Sequence, residues 1–349
     1  MRLTIVADDL TGACDAGTLF AGKSPVPVAV WPDPPVAAPV SVVDTESRAL
    51  DAREAARRVQ HAVGRPARSG APSWFKKIDS TLRGHVGAEL AALLRATGAS
   101  SVLACPAFPA QGRVVVDRQL LVHGEPRASV VDVLRPESDR PLAWIPLADV
   151  RAGGVALAAR VERLAGMIAV ADAETDADLD ALVGAALALD APPLLAGSAG
   201  LARPLAVRLG LSAGPASLPA GRWLIVAGST SPATRRQIAE ARRAGLRVLA
   251  ASDGERGDPA KAAAEVGAEA ARVLAAERFD LVIVTGGDTA VALYRALGAT
   301  RIELVGAPGP GLALARLQAP GRPELAVLTK AGDFGPPDLF VALAGEATA

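Results

Sequence analysis

Apolar runs of four to six residues alternate with alanine-rich segments along most of the 349-residue chain. Such runs, bounded by glycine, aspartate or serine and separated by helical stretches, are the sequence form of a mainly parallel α/β sheet. The pattern predicts strands at Leu3–Val6, Val40–Val43, Trp74–Ile78, Ser101–Ala104, Leu224–Ala227, Val248–Ala251, Leu281–Thr285 and Leu325–Thr329, with helices in most of the gaps. The segment 211–221, LSAGPASLPAG, lacks periodicity and is rich in Gly, Pro and Ser, which marks a linker. Two domains are therefore expected, residues 1–210 and 222–349, each a mainly parallel sheet flanked by helices. Arg127–Asp149, rich in Pro and charge, reads as an irregular surface segment of the first.

Polar residues collect where the predicted strands end. In Val6–Asp15, VADDLTGACD, the first strand runs into Asp8 and Asp9, and ligands of open α/β sheets sit beyond such carboxyl ends. Asp9 could equally cap the helix that follows. The strand ending at Val43 opens into Asp44, Thr45, Glu46, Ser47 and Arg48. Lys76–Leu90, KKIDSTLRGHVGAEL, carries Lys77, Asp79, Ser80, Thr81 and Arg83 ahead of a helix beginning near His85. A helix cap needs one such residue, whereas this turn offers several, and the Lys76–Lys77 pair stands out in a chain with five lysines among 37 basic residues. Arg83 offers a planar fork for a carboxylate, a lysine a movable point charge. A fourth strand end, PAFPAQGR at 106–113, adds Gln111 and Arg113, unless that loop is merely shaped by its prolines. Together these residues describe a pocket with cations for an anionic group, and carboxylates for substrate hydroxyls and for general-base work.

The second half carries a different signature. Its strands end in Gly228, Ser229, Thr230 and Ser231, in Gly286, Gly287, Asp288 and Thr289, and in Lys330, Ala331, Gly332, Asp333, Phe334 and Gly335. Small residues let backbone N–H groups approach an anion, hydroxyls donate to it, and a helix N-terminus favours negative charge. One such turn is ordinary loop chemistry; three in one domain suggest a nucleotide. The octapeptide 17–24, GTLFAGKS, fits G-x-x-x-x-G-K-[ST], but it follows a helix rather than a strand and runs into Pro25, so Gly22 reads better as a helix C-cap. Gly309 and Gly311 in GPGPGLAL lack the third small residue of a dinucleotide fingerprint.

Composition narrows the field. A formal net charge of +0 and 3% aromatic residues argue against nucleic acid, and no apolar stretch is long enough to span a bilayer, so a cytoplasmic protein without a membrane role is expected. Cys14 and Cys105 have neither disulfide-framework nor zinc spacing. Three histidines rule out a histidine-rich metal site, leaving carboxylates and phosphates to hold any cation.

Seven ordered motifs resemble the four-carbon acid sugar kinases: ADDLTGA at 7–13, DTESR at 44–48, KIDSTLRG at 77–84, PAFPAQGR, GSTSPAT at 228–234, TGGDTA at 285–290 and KAGDFGPPDLF at 330–340. The resemblance implies an N-terminal domain for the sugar acid, a C-terminal domain for ATP, and transfer of the γ-phosphate to a terminal hydroxyl of threonate, erythronate or an oxo-tetronate with Mg²⁺. It implies that Asp8, Asp9 and Asp79 supply the base and substrate contacts, and that Arg48, Lys77 and Arg83 hold substrate carboxylate or transition-state charge. Ser80, Gln111 and Arg113 line the substrate site, while Ser229, Ser231, Gly286, Gly287, Asp288, Thr289, Gly332 and Gly335 hold ATP. Between Leu120 and Leu164 the chain is shorter than the family pattern and lacks an Asp-Pro segment associated with the substrate domain. Alanine-rich helices leave a homodimer open. Two further classes compete: an idle sensor binding ATP and a sugar acid, and a nicotinamide-dependent dehydrogenase, for which no complete G-x-G-x-x-G follows the first strand.

Overall fold

The computed structural model describes residues 2–64, 73–229, 231–251, 259–299, 301–332 and 334–348; Thr230 and Asp333 of the glycine-rich turns lie outside them. In chain order the strands are β1 (Leu3–Ala7), β2 (Val26–Val30), β3 (Val40–Asp44), β4 (Ser73–Lys77), β5 (Val102–Cys105), β6 (Arg113–Val116), β7 (Gln119–Val122), β8 (Glu125–Ser129), β9 (Leu142–Ile145), β10 (Ile168–Ala171), β11 (Leu194–Gly197), β12 (Trp223–Ala227), β13 (Arg247–Ala250), β14 (Leu281–Thr285), β15 (Arg301–Gly306), β16 (Leu312–Gln318) and β17 (Leu325–Lys330). The chain forms two units, one of Met1–Phe20 with Ala29–Ser212, the other of Ala21–Val28 with Ala213–Ala349.

In the first unit seven strands lie parallel in the order β3-β1-β4-β11-β5-β10-β9. Every residue of LTIVA in β1 and of VSVVD in β3 is buried, as expected of strands covered on both faces. The strand that follows β1 through β2 joins one side of it and the next joins the other, so the sheet order reverses at β1. The turns after β1, β3 and β4 consequently meet at one carboxyl edge, the position where such sheets bind ligands. Helix Leu10–Gly17 continues from β1, and helix Val86–Thr97 follows the turn after β4. A separate antiparallel sheet, β6-β7-β8, extends from the turn after β5.

In the second unit β13-β12-β14-β17 are parallel, and β16, β15 and then Val26–Val28 add antiparallel. Its core packs Trp223, Ile225, Leu281, Ile283 and Leu328 against Phe340 and Leu343 of the last helix. The turns after β12, β14 and β17 belong to three adjacent strands and so are neighbours too.

Two expectations need correction. Arg127–Asp149 is not irregular: it finishes β8 and then forms helix Val130–Leu134, β9 and the start of helix Leu147–Ala152. Gly22 caps nothing, because the first helix ends at Gly17, where the Thr18 N–H bonds back to Cys14 and Ala16 carbonyls. The phosphate-loop lookalike 17–24 spans that helix end, a 3₁₀ turn and the approach to β2, with no strand before it and no helix after it. No helix among the described residues is long and apolar enough to cross a membrane.

Candidate active site

The guanidinium of Arg48 organises the carboxyl edge of the first unit. Its Nε and Nη2 donate to the two oxygens of Asp8 at 2.7 and 2.9 Å, and its Nη1 donates to Asp9 Oδ2 at 2.6 Å. Asp79 Oδ1 stands 3.7 Å from Nη2. Three carboxylates from two strand ends thus share one cation from a third. The backbone after β3 is fixed to match, since the amides of Ser47 and Arg48 donate to the Asp8 carbonyl. Gly84, at φ +86°, passes so close that a Cβ there would lie 3.0 Å from Asp8 Oδ2.

The three acids differ in their surroundings. Burial pushes Asp8 up, but the charge and hydrogen bonds of Arg48, helped by Lys76 and Lys77, bring it below the ordinary range. Burial likewise raises Asp79, yet the fork of Arg83 at 2.8 and 3.0 Å, the charge of Arg48 and the Thr81 hydroxyl hold it far below that range. Asp9 goes the other way: burial and the neighbouring Asp8 raise it against the pull of Arg48. Its Oδ1 accepts from the Gly12 amide at 2.8 Å, so Asp9 is both a helix cap and an ion-pair partner. A fifth of its side chain (20%) remains exposed, against 3% for Asp8.

Lys77 is buried, with its ammonium donating to the Ile78 carbonyl at 2.9 Å. A Cβ on Gly12 would meet Asp9 Oδ1 at 2.7 Å and Lys77 Nζ at 3.0 Å, so the glycine makes room for a second cation beside Asp9. Arg113 donates to the Ser80 hydroxyl and, at 2.7 Å, to Gln111 Oε1, joining the turn after β5 to the turn after β4. All nine residues picked out for substrate and catalysis in this half lie at the carboxyl ends of β1, β3, β4 and β5 or in the segments that follow them, Lys77 closing β4 and Arg113 opening β6. Arg48 and Arg83, expected to meet an external carboxylate, are bound to the protein's own.

Beneath this layer Lys76 pairs with an acid that the sequence pattern did not single out. Lys76 Nζ stands 2.7 Å from Glu89 Oε2, with side chains 0% and 2% exposed, and the Ser47 hydroxyl donates to Glu89 Oε1. Thr45 Oγ1, 2.7 Å from Ser47 Oγ, donates to the Ala7 carbonyl. The signal was a lone acid among apolar residues in helix VGAELAALLRAT. Asp44, by contrast, makes no pair with Arg48: it is fully buried, only its Oδ1 has a partner, the Glu46 amide, and burial holds its carboxyl well above the ordinary range. Asp15, on the helix after Asp9, is raised by burial within the fields of Lys77, Arg203 and Arg113. Cys14 and Cys105 are buried and not disulfide-bonded, and burial pushes the Cys105 thiol up to about 12.

In the second unit, Ser231 caps helix Pro232–Arg243 by accepting from the Thr234 amide, and both hydroxyls donate to the Gly332 carbonyl at 2.8 and 2.7 Å. Helix Gly287–Leu297 has no side-chain cap, and Gly286 enters it at φ +97°. Ser229 joins the three turns: a Cβ on Gly332 would lie 2.6 Å from its Oγ, and one on Gly286 would lie 3.7 Å from its Cβ. A Cβ on Gly228 would collide with the Thr289 hydroxyl. Backbone, small residues and an uncapped helix start are what an anion-binding turn requires.

Residues 3–205 match the family described as a sugar-binding N-terminal domain, and 246–340 the one described as a nucleotide-binding C-terminal domain. A D-threonate kinase of Salmonella typhimurium is 36% identical over 259 residues, covering 68% of this chain and 60% of that protein. A D-threonate kinase of Cupriavidus necator is 34% identical over 399 positions, covering 96% of this chain and 95% of its own. A 3-oxo-tetronate kinase of Pseudomonas fluorescens is 29% identical, covering 99% and 96%. The Cupriavidus alignment is longer than the 349-residue chain, so that relative carries segments absent here. Among solved structures, a Salmonella typhimurium chain superimposes with a TM-score of 0.79 at 22% identity, covering 97% of this chain and 98% of that one. A Bordetella bronchiseptica protein, a domain-swapped dimer with bound citrate, gives 0.51 at 30% identity, covering 99% and 98%.

Two stability effects follow. Lys76→Met leaves Glu89 buried without its cation and should cost about 3–5 kcal/mol in denaturant unfolding, more than a surface lysine by severalfold. His85 bonds Glu137 Oε1 at 2.8 Å and the Leu50 carbonyl at 2.6 Å, and the Glu137 bond raises its pKa above the usual 6.5. That contribution is complete below pH 6.5 and disappears as pH climbs through the raised value. The stability gap between the unmodified protein and Glu137→Gln should therefore shrink above pH 6.5; a gap independent of pH would show that His85 is not charged by Glu137.

Proposed function

The chain belongs to the four-carbon acid sugar kinase family, and on that premise we propose that it transfers the γ-phosphate of ATP to the terminal hydroxyl of a four-carbon sugar acid of the threonate, erythronate or 3-oxo-tetronate kind. The sugar acid is assigned to residues 1–210, ATP to 222–349, with 211–221 as the connection. The observation that carries the reading is the convergence of Asp8, Asp9 and Asp79 on Arg48 at the reversal point of the first sheet. A polyhydroxylated acid needs hydroxyl acceptors and cations side by side, and this edge supplies both.

Within that reading the acids divide their work. Asp8 and Asp79, held ionised by arginines, act as fixed acceptors for substrate hydroxyls. Asp9, raised and partly exposed, takes the proton of the attacking hydroxyl. The hydroxyl oxygen forms the new bond to phosphorus, the bond to the β-phosphate oxygen breaks, and ADP leaves. Lys77 and the Arg113, Ser80 and Gln111 group are assigned to the substrate carboxylate, because Arg48 and Arg83 are already engaged. Ser229, Ser231, Gly286, Gly287, Asp288, Thr289, Gly332 and Gly335 hold the phosphates of ATP. When bound, Mg²⁺ would neutralise charge on those phosphates. A homodimer is in keeping with the domain-swapped dimer of the Bordetella relative.

The test is ADP release with Mg²⁺ and ATP across D- and L-threonate, D- and L-erythronate and their 3-oxo derivatives. One strong acceptor is expected, and no acceptor above the ATP-only rate would defeat the assignment. With that acceptor, Asp9→Asn should lower kcat by roughly 10²–10⁴-fold while KM for ATP changes little. An unchanged kcat would remove Asp9 as the base. Gly332→Ala, whose new Cβ would press on Ser229 Oγ at 2.6 Å, should raise KM for ATP and leave KM for the sugar acid alone.

A further inference from the structure

The turn after β17 is built around two buried donors. Lys330, 0% exposed, directs its ammonium to the carbonyls of Ala331, Gly332 and Phe334 at 2.6, 3.1 and 3.0 Å. Gln237, also 0% exposed, directs its Nε2 to the carbonyls of Phe334, Gly335 and Pro336 at 2.8, 3.0 and 3.0 Å. The hydroxyls of Ser231 and Thr234 add two more donors to the Gly332 carbonyl. Five carbonyls of one short turn therefore point at one interior cluster.

That convergence is costly on its own. Parallel carbonyl dipoles repel, and a lysine ammonium held out of water is stable only when its donors are matched. Gln237 accepts a further penalty, because its Oε1 is buried without a partner, which costs about 1–3 kcal/mol. Rotating the amide to satisfy that oxygen would set it against three carbonyls, so the orientation serves the turn. Drawing carbonyls to one side leaves amides for the other. Among the described residues the Gly332 and Gly335 amides donate to no protein group, whereas that of Phe334 bonds to the Ala331 carbonyl. Gly335 reaches its position at φ +91°, and a Cβ there would strike Leu339. Backbone amides left unpaired in a tight glycine-containing turn are donors suited to an anion.

We propose that Lys330 and Gln237 are positioning residues that pull the carbonyls of Ala331, Gly332, Phe334, Gly335 and Pro336 inward and so present the Gly332 and Gly335 amides to a nucleotide phosphate. This rests on the assignment of ATP to the second unit. Neither side chain touches the nucleotide; each acts through the backbone it holds.

Calorimetric titration with MgATP, without sugar acid, tests the proposal on the unmodified protein, on Lys330→Met and on Gln237→Leu. Either folded variant should bind ATP about tenfold or more weakly, with KM for the sugar acid unchanged, because several charged or bifurcated hydrogen bonds are lost at the phosphate turn alone. Affinity within about twofold of the unmodified protein in a folded variant would overturn the role. If neither variant folds, amide exchange of the unmodified protein decides: protection of Gly332 and Gly335 on adding ATP supports the arrangement, and unchanged exchange defeats it. An unmodified protein that binds no ATP would instead bring down the nucleotide assignment and this inference with it.

Discussion

Three carboxylates can share one small volume only if a cation lies among them, and Arg48 supplies it. Like charges a few ångströms apart would otherwise drive each other's pKa upward or push the turns apart. The planar fork matters as much as the charge, because it bonds both oxygens of Asp8 and one of Asp9 in a single geometry. Around that centre, alternate signs continue outward to Lys77, Arg83 and Asp79 and downward to Lys76 and Glu89. Each acid then titrates according to how many donors surround it, so one edge holds two firmly ionised carboxylates and one more basic one.

Much of the architecture was legible because the buried strands are long and apolar on both faces. LTIVA, WLIVA and LVIVT read as strands without help, and the structure has them within a residue or so of the expected bounds. The strands that escaped are short or rich in alanine. IAVA and LLAG, at β10 and β11, sit among alanine-rich helices of the same composition, and LALARLQ of β16 has no period that separates strand from helix. The segment 127–149 was misread because proline and charge suggest a loop, while the burial of Ile145 and half-burial of Trp144 on a strand paired with β10 decide otherwise.

The candidate site was legible to the extent that polar residues cluster at strand ends. Which of them pair with each other was not. Arginine in a substrate pocket looks the same in sequence whether it awaits an anion or already holds one, and only the fold shows Arg48 and Arg83 committed to the protein's own carboxylates. The burial of Glu89, Gln237 and Lys330 was invisible for the opposite reason: nothing in a single polar residue on a helix or at a strand end announces that it is fully enclosed.

The second unit is discontinuous in sequence. Its residues 21–28 pair antiparallel with β15 through Val26, Pro27 and Val28, although nearly the whole of the first unit separates them from the rest. On a ribosome that peptide emerges long before β15, the strand of the second unit that it must join, is made. The first unit must therefore fold around a tether whose destination does not yet exist. A gene cut at the linker would yield a second half missing one edge strand, so the two halves are exchangeable between relatives only if the short peptide travels with its sheet.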